Sequence, residues 1–411
     1  MTDAAAAWLG APREHPFGLH NLPYASFTVP DEAAPRVGVR IGDGVLDVAA
    51  AAGDLAPGLA PVVAGGTLDR LLASGPSGWQ QLRSAVTGWL SDPALQPVLE
   101  PLVHRLDDVR LVLPFTVADY VDFYASEHHA SNVGRILRPG QEPLPPNWKH
   151  MPIGYHGRAG TVVVSGTPVV RPTGQRREPD GRVLVGPTAR LDLEAELGFV
   201  VGVPSVRGRS VPLRHLEQHV FGVCLVNDWS ARDVQAWEYV PLGPFLGKSF
   251  ATSVSPWVVP LPALEAARVR PPTRDVPPPG YLDDADALPG GFDVRFEVRL
   301  NGTVVSRPPF AGMYWTAAQQ LAHLTVNGAS LRTGDLFASG TVSGAGQDEL
   351  GSLLELTSNG REPLALDDGT SRTFLEDGDE VVVAATAPGP DGRVVGLGEV
   401  SGRVQPAVRP G

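Results

Sequence analysis

Between Asp228 and Lys248 the chain reads DWSARDVQAWEYVPLGPFLGK. A carboxylate, a guanidinium, an amide, a phenol and an ammonium are interleaved here with Trp229, Trp237 and Phe245. Asp228 closes the apolar run FGVCLVN, which reads as a buried strand. Ser230 followed by Asp233 reads as a capping box that starts a helix. On that helix Arg232, Gln235 and Tyr239 are three and four residues apart, so they share one face. The helix stops at Pro241, and a Gly/Pro turn carries Lys248 back toward Asp228. A solvated helix face is the plain alternative. The buried strand and the flanking tryptophans favour a pocket with a few convergent polar groups.

Two more stretches supply chemistry. In ARLDLEAELGFVVG, Asp192, Glu194 and Glu196 alternate with apolar residues. A period of two sends the three acids to one face, about 7 Å apart along the strand. A half-solvated strand would look similar, but three like charges in a row repel, and a bound cation would relieve that. In ADYVDFYASEHHASNVGRILR, Asp122 precedes His129 by seven residues, which on one helix is two turns along the same side. Asp122, Glu194, Glu196 and Asp228 offer the all-oxygen donor set of a hard cation such as Ca²⁺ or Mg²⁺. A histidine beside that set, not needed as a ligand, suits a general base for water; the adjacent His128 is read as incidental. Such a base needs a carboxylate to orient it; spacing alone does not say which.

The elements that must position these groups are mostly strands. The chain has 411 residues, 43% hydrophobic and 19% charged, with 47 glycines and 41 prolines, so a globular, turn-rich, two-domain protein is expected. Residues 1–117 read as a small α+β unit after a loose lead-in, with a hairpin turning at Asp43-Gly44 and helical stretches after Thr67. Residues 118–411 read as a larger β-rich unit, with much of 118–138 helical and 171–187 an exposed loop. A Pro-rich surface loop spans 263–290, a hairpin turns at Asn301-Gly302, and MYWTAAQQLAHLTVNG forms an amphipathic helix. The glycine-rich loop ending at Gly346 could hold an anion through its N–H groups but lacks the residues of a P-loop. A net charge of −12 without a basic run argues against nucleic acid. No apolar run reaches the roughly 18 residues of a membrane span, and the N-terminus lacks the features of a signal peptide. A cytoplasmic protein is expected. The single cysteine, Cys224, reads as a buried hydrophobe. His215 and His219 have the spacing of a zinc pair, but no third ligand is near and HExxH is absent, so they read as structural.

The stretches VDFYASEHHASNVG, PNWKHMPIGYHGRA, LDLEAELGFVVG, FGVCLVNDWSARDVQAWEYVPLGPFLGKSF, SPWVVP, MYWTAAQQLAHLTVNG and LRTGDLFASGTVSG, in that order, resemble the fumarylacetoacetase family, from about His20 to the C-terminus. The resemblance implies a mostly β fold with some α, made of a small N-terminal SH3-like barrel and a large C-terminal mixed β-sandwich roll, acting as a homodimer. It implies hydrolysis of the carbon–carbon bond of 4-fumarylacetoacetate to fumarate and acetoacetate, the last step of tyrosine and phenylalanine breakdown. By motif, Asp122, Glu194, Glu196 and Asp228 correspond to ligands of Ca²⁺, and Asp228, Lys248 and Thr252 to positions at a Mg²⁺ nearby. His129 corresponds to the base and Glu355 to the carboxylate that orients it. Tyr124, Arg138, Tyr155, Gln235, Tyr239 and Thr341 correspond to substrate contacts, and Arg232, Gln235 and Lys248 to the group that stabilises developing negative charge.

The chain departs from the family pattern in three places. Glu127-His128 stands where Arg-Gln is common, Ala251 replaces a common glycine beside Thr252, and the loop from Ala345 to Leu350 is its own. Two other readings remain: a related acylpyruvate or other diketo-acid hydrolase of the same superfamily, and a calcium-stabilised β protein that catalyses nothing. His129 separates the last from the rest, since a structural metal site has no use for a base beside it.

Overall fold

The computed structural model describes residues 14–30, 32–285 and 289–408; most of the lead-in lies outside them. The protein is β-rich with short helices, built on three main sheets. The first is N-terminal, five-stranded and antiparallel, in the order Val103–Arg105, Gly44–Asp47, Arg36–Ile41, Tyr24–Thr28, Arg110–Val112. Its central hairpin turns through Gly42 and Asp43, where Gly42 takes φ 58°. Helices Val48–Leu55 and Gly75–Ser91 lie in the same module.

The second sheet carries the chemistry. Its strands run Gly154–His156, Asp119–Phe123, Asp335–Ala338, Ala195–Val201, Val220–Asp228, Thr252–Val254, Val162–Val164, with Val259–Pro260 also paired to Val220–Asp228. Every residue of Ala195–Val201 and Val220–Asp228 is buried. In Val220–Asp228, Phe221, Cys224 and Val226 join the core shared with the N-terminal module, while Val223 and Leu225 join the core shared with the C-terminal remainder. A strand covered on both faces needs a continuous apolar run, and FGVCLV supplies it. The third sheet, Thr303–Ser306, Arg295–Leu300, Glu380–Pro388, Val394–Gln405, Val169–Val170, encloses the second core. Its hairpin turns at Asn301 and Gly302, both at positive φ, as Asn-Gly demands.

Several local expectations change. Residues 119–123 form a strand, so Asp122 and His129 do not share a helix; the helix Glu127–Leu137 begins only after the Ser126 cap. DYVDF pairs in parallel with Asp335–Ala338, a partner far along the chain that no local pattern reveals. Residues 173–177 and 183–187 form an antiparallel hairpin rather than a loop. The segment from 263 begins as a partly buried 3₁₀ helix, Leu261–Ala267, before the proline-rich part.

Candidate active site

The acids meet where the strands of the second sheet end. Asp122 lies beside Ala338 and Glu196 beside Val226, while Asp228 lies beside Thr252. One oxygen from each of Asp122, Glu194, Glu196 and Asp228 lies within 4.8 Å of all the others, and all four residues are buried. The half-solvated alternative for the Asp192–Glu196 stretch is therefore gone. The period-two reading holds only in part: Asp192 belongs to a separate two-residue strand and turns to other partners.

The four carboxylates divide by how they are satisfied. Glu194 accepts from Arg232 Nη2 at 2.7 Å and from Lys248 Nζ. Burial opposes its ionisation, but Arg232 and Lys248 outweigh burial and hold it below the usual carboxylate range. Asp228 accepts from Thr252 Oγ1 at 2.9 Å, Lys248 Nζ at 2.6 Å and the Tyr155 hydroxyl at 2.9 Å. Among the described residues, Asp122 Oδ1 and both oxygens of Glu196 have no hydrogen-bond donor. Burial, then repulsion from neighbouring carboxylates, raises Asp122 and Glu196 well above the ordinary value. Buried carboxylate oxygens without donors cost free energy unless something positive meets them. Orphaned oxygens in an all-oxygen set fit a hard divalent cation. The three side chains expected around a second ion, Asp228, Lys248 and Thr252, already satisfy one another, so that expectation rests on the resemblance alone.

Beside this cluster His129 Nδ1 lies 2.6 Å from Glu355 Oε2, and its Nε2 faces Glu194 Oε1 at 3.8 Å. Both residues are buried. Glu355 also accepts from Asn132 Nδ2 at 3.0 Å, Ser343 Oγ at 3.0 Å and Ser352 Oγ at 2.8 Å. Burial works against its charge, but His129 and these donors hold Glu355 below its usual range. Ser126 caps the helix at the His129 N–H, and the Tyr124 ring meets the imidazole edge-on at 5.3 Å. His128, one residue away, is exposed.

The helix after Asp228 is Arg232–Glu238, and it starts at Ala231 without a side-chain cap. The expected capping box is absent: Ser230 Oγ donates to the Asp228 carbonyl, and Asp233 accepts from the Ala189 N–H and the Thr188 hydroxyl. The chain does return Lys248 to Asp228, as the Gly/Pro turn suggested. Arg232 Nη1 is 3.4 Å from Gln235 Oε1. Of the other expected contacts, Tyr124, Arg138 and Tyr155 are half-buried and Thr341 is buried in the loop that also holds Ser343. Tyr239 is 47% exposed, and among the described residues no hydrogen bond joins its phenol to the cluster. Gly344 and Gly346 donate to Glu349, so that loop is closed on itself rather than open to an anion. His219 Nδ1 binds the Val203 carbonyl, a structural contact. Glu127 pairs with Lys149 at 2.9 Å, away from the base. Asn132, Ser343 and Ser352 were not anticipated; the Ser352-x-x-Glu355 spacing is the signal that could have found the last.

An acid cluster with orphaned oxygens next to a buried histidine–glutamate pair suits an enzyme that activates water beside a hard cation. Residues 119–405 match the family described as fumarylacetoacetate (FAA) hydrolase C-terminal, and residues 20–114 match that described as fumarylacetoacetase N-terminal. The chain is 42% identical to a fumarylacetoacetase of Arabidopsis thaliana, over 95% of this chain and 96% of that one. It is 42% identical to one of Homo sapiens, over 96% and 97% of the two chains. The chain therefore belongs to the fumarylacetoacetase family and is a hydrolase of it. Among solved structures, a fumarylacetoacetate hydrolase of Exiguobacterium antarcticum superposes with a TM-score of 0.56 at 19% identity, covering 94% of this chain and 99% of that one. A maleylpyruvate hydrolase of Sphingobium gives 0.51 at 18%, covering 94% and 100%. At these identities the two superpositions speak to the fold alone. Among the described residues no helix is long and apolar enough to cross a membrane.

Proposed function

We propose that the protein hydrolyses 4-fumarylacetoacetate to fumarate and acetoacetate, the closing step of tyrosine and phenylalanine breakdown, in the cytoplasm. A divalent cation, Ca²⁺ or Mg²⁺, is held by Asp122, Glu194, Glu196 and Asp228. The observation that carries this reading is the buried His129–Glu355 pair next to oxygens that lack donors. A purely structural cation site gains nothing from it.

When bound, the cation supplies Lewis-acid polarisation of the diketone oxygens. The remaining steps belong to the chain. With Nδ1–H donated to Glu355, His129 presents Nε2 as the acceptor for a water proton, and Glu355 stabilises the imidazolium that forms. The hydroxide attacks the carbonyl carbon of the fumaroyl group. Arg232, Gln235 and Lys248 donate to the resulting alkoxide; Lys248 keeps an N–H beyond its two carboxylate bonds. Collapse breaks the carbon–carbon bond, and the electron pair leaves on the acetoacetate carbon. His129 returns its proton there, and fumarate departs as the carboxylate. Arg138, Tyr124, Tyr155, Tyr239 and Thr341 bind the substrate's carboxylates and chain, Arg138 by charge-assisted hydrogen bonds.

We also propose a homodimer. Val240, Leu242, Phe245 and Leu246 are 67%, 96%, 59% and 49% exposed on the loop leading to Lys248, and an apolar patch of this kind marks a contact surface. Sedimentation of the purified protein tests it, and a monomer at micromolar concentration refutes it.

The function is tested by following loss of the diketone absorbance of fumarylacetoacetate before EDTA, after it, and after Ca²⁺ or Mg²⁺ is restored. Cleavage that chelation abolishes and metal restores is the expected result. Metal-replete, folded protein that leaves fumarylacetoacetate intact but cleaves acylpyruvates moves the assignment to a related diketo-acid hydrolase.

A further inference from the structure

Asp192 is fully buried and lies outside the four-acid cluster. Each of its oxygens is engaged twice. Oδ1 accepts from the N–H groups of Leu193 at 2.8 Å and Leu353 at 2.7 Å. Oδ2 accepts from Arg232 Nε at 2.8 Å and the Leu354 N–H at 3.0 Å. Leu353 and Leu354 open the four-residue helix Leu353–Leu356, which carries Glu355. One carboxylate therefore grips two parts of the site that are distant in sequence: the guanidinium that faces developing charge, and the backbone that aims the partner of the base.

We infer that Asp192 is a positioning residue, which fixes Arg232 and the Glu355-bearing turn relative to each other. This rests on the roles proposed above for Arg232 and the His129–Glu355 pair. Four donors converge on Asp192, and it has no spare capacity. An asparagine of the same shape cannot replace it: whichever way the amide is turned, its NH₂ faces an N–H donor, either Arg232 and Leu354 or Leu193 and Leu353. Either turn releases one half of the grip. Because rate depends steeply on alignment, a shift of about 1 Å can cost on the order of a hundredfold in turnover. Substrate binding depends on other side chains and changes less.

The test is a pair of double-mutant cycles on the metal-replete enzyme with fumarylacetoacetate. Asp192→Asn is expected to lower kcat by about a hundredfold, with KM within about threefold of wild type. Combined with Glu355→Gln, and separately with Arg232→Lys, it is expected to add little to the larger single loss, because both partners act through the same link. Bound metal, measured by equilibrium dialysis, stays at the wild-type level, since Asp192 is not a ligand. Losses that simply multiply in both cycles, or a folded Asp192→Asn with wild-type kcat while Glu355→Gln is impaired, overturn the inference alone. Full turnover in Glu355→Gln overturns the reading of the base and the inference with it. If Asp192→Asn does not fold, Asp192→Glu keeps the charge while displacing both grips, and the same cycles are read on it.

Discussion

The two halves of the acid-rich site are built on opposite principles. On one side Asp192, Glu194 and Glu355 are anions that the chain itself neutralises. Arg232, Lys248, His129 and a set of N–H and hydroxyl donors meet their oxygens. On the other side Asp122 and Glu196 carry three oxygens with no donor among the described residues. Both halves are buried to the same degree, so burial does not distinguish them. The first half is complete in the folded chain and gives fixed geometry to the His129 imidazole and the Arg232 guanidinium. The second would be completed by the cation of the proposed function. A protein that needed acids merely to fold would have satisfied both.

The largest effect should come from the base. His129→Ala is expected to lower kcat by about 10²–10⁴-fold while the protein stays folded and bound metal stays close to wild type. Full activity in a folded His129→Ala protein would sink the mechanism. The next test sets the halves against each other. Glu194→Gln takes one of two counter-charges from each of Arg232 and Lys248, which keep Asp192 and Asp228, and losing a partner of a buried pair costs up to about 3–5 kcal/mol of stability. Glu196→Gln resembles the protonated acid that burial already favours, so the chelated protein should lose much less stability in urea unfolding than it does with Glu194→Gln. With metal at about a hundredfold above Kd, the wild type should gain about 2.7 kcal/mol and Glu196→Gln much less. Equal destabilisation by the two changes in metal-free protein would erase the distinction.

pH sharpens the same contrast. Without a cation, Asp122 and Glu196 hold their protons above the usual carboxylate range. The folded chain then binds protons that the unfolded chain has released, so chelated stability should fall as pH rises above about 4 and on through the raised values. A bound cation competes those protons away and removes the slope. The gap in melting temperature between metal-loaded and chelated protein should therefore widen between about pH 5 and about pH 8. Glu194 and Glu355 have the opposite sign: held low in the fold, they contribute stability at neutral pH that is lost as pH falls below about 4. A gap that stays constant with pH would mean that the orphaned oxygens are not where the cation binds.

Much of this site was visible as residue types and little of it as geometry. Asp122, Glu194, Glu196, Asp228 and His129 stand out because acids and a histidine interrupt runs that otherwise read as buried, and Lys248 because glycine and proline turn the chain back. The β-rich fold follows from alternation in stretches such as FDVRFEVRL and from the Asn301-Gly302 turn. What stayed hidden depends on pairing across long separations. DYVDF is too short to tell strand from helix by periodicity, and its pairing with Asp335–Ala338 on one side and Gly154–His156 on the other settles it. Ser230 and Asp233 have capping-box spacing, but Asp233 is drawn to Thr188 and Ala189 instead. Asp192 looks like a third acid of a row until Leu353 and Leu354, some 160 residues on, claim it.

The smallest expected effect tests how sharply the site is bounded. His128 and His129 are consecutive in the first turn of the helix that Ser126 caps, and consecutive helical residues point about 100° apart. His129 is turned inward against Tyr124 and Glu355, whereas His128 faces solvent. An exposed side chain of this kind contributes little, so His128→Ala should leave stability within about 0.5 kcal/mol and kcat within about twofold. If the substitution instead cost as much as His129→Ala, proton transfer would have to run through both imidazoles, and the buried pair could no longer be the whole of the base.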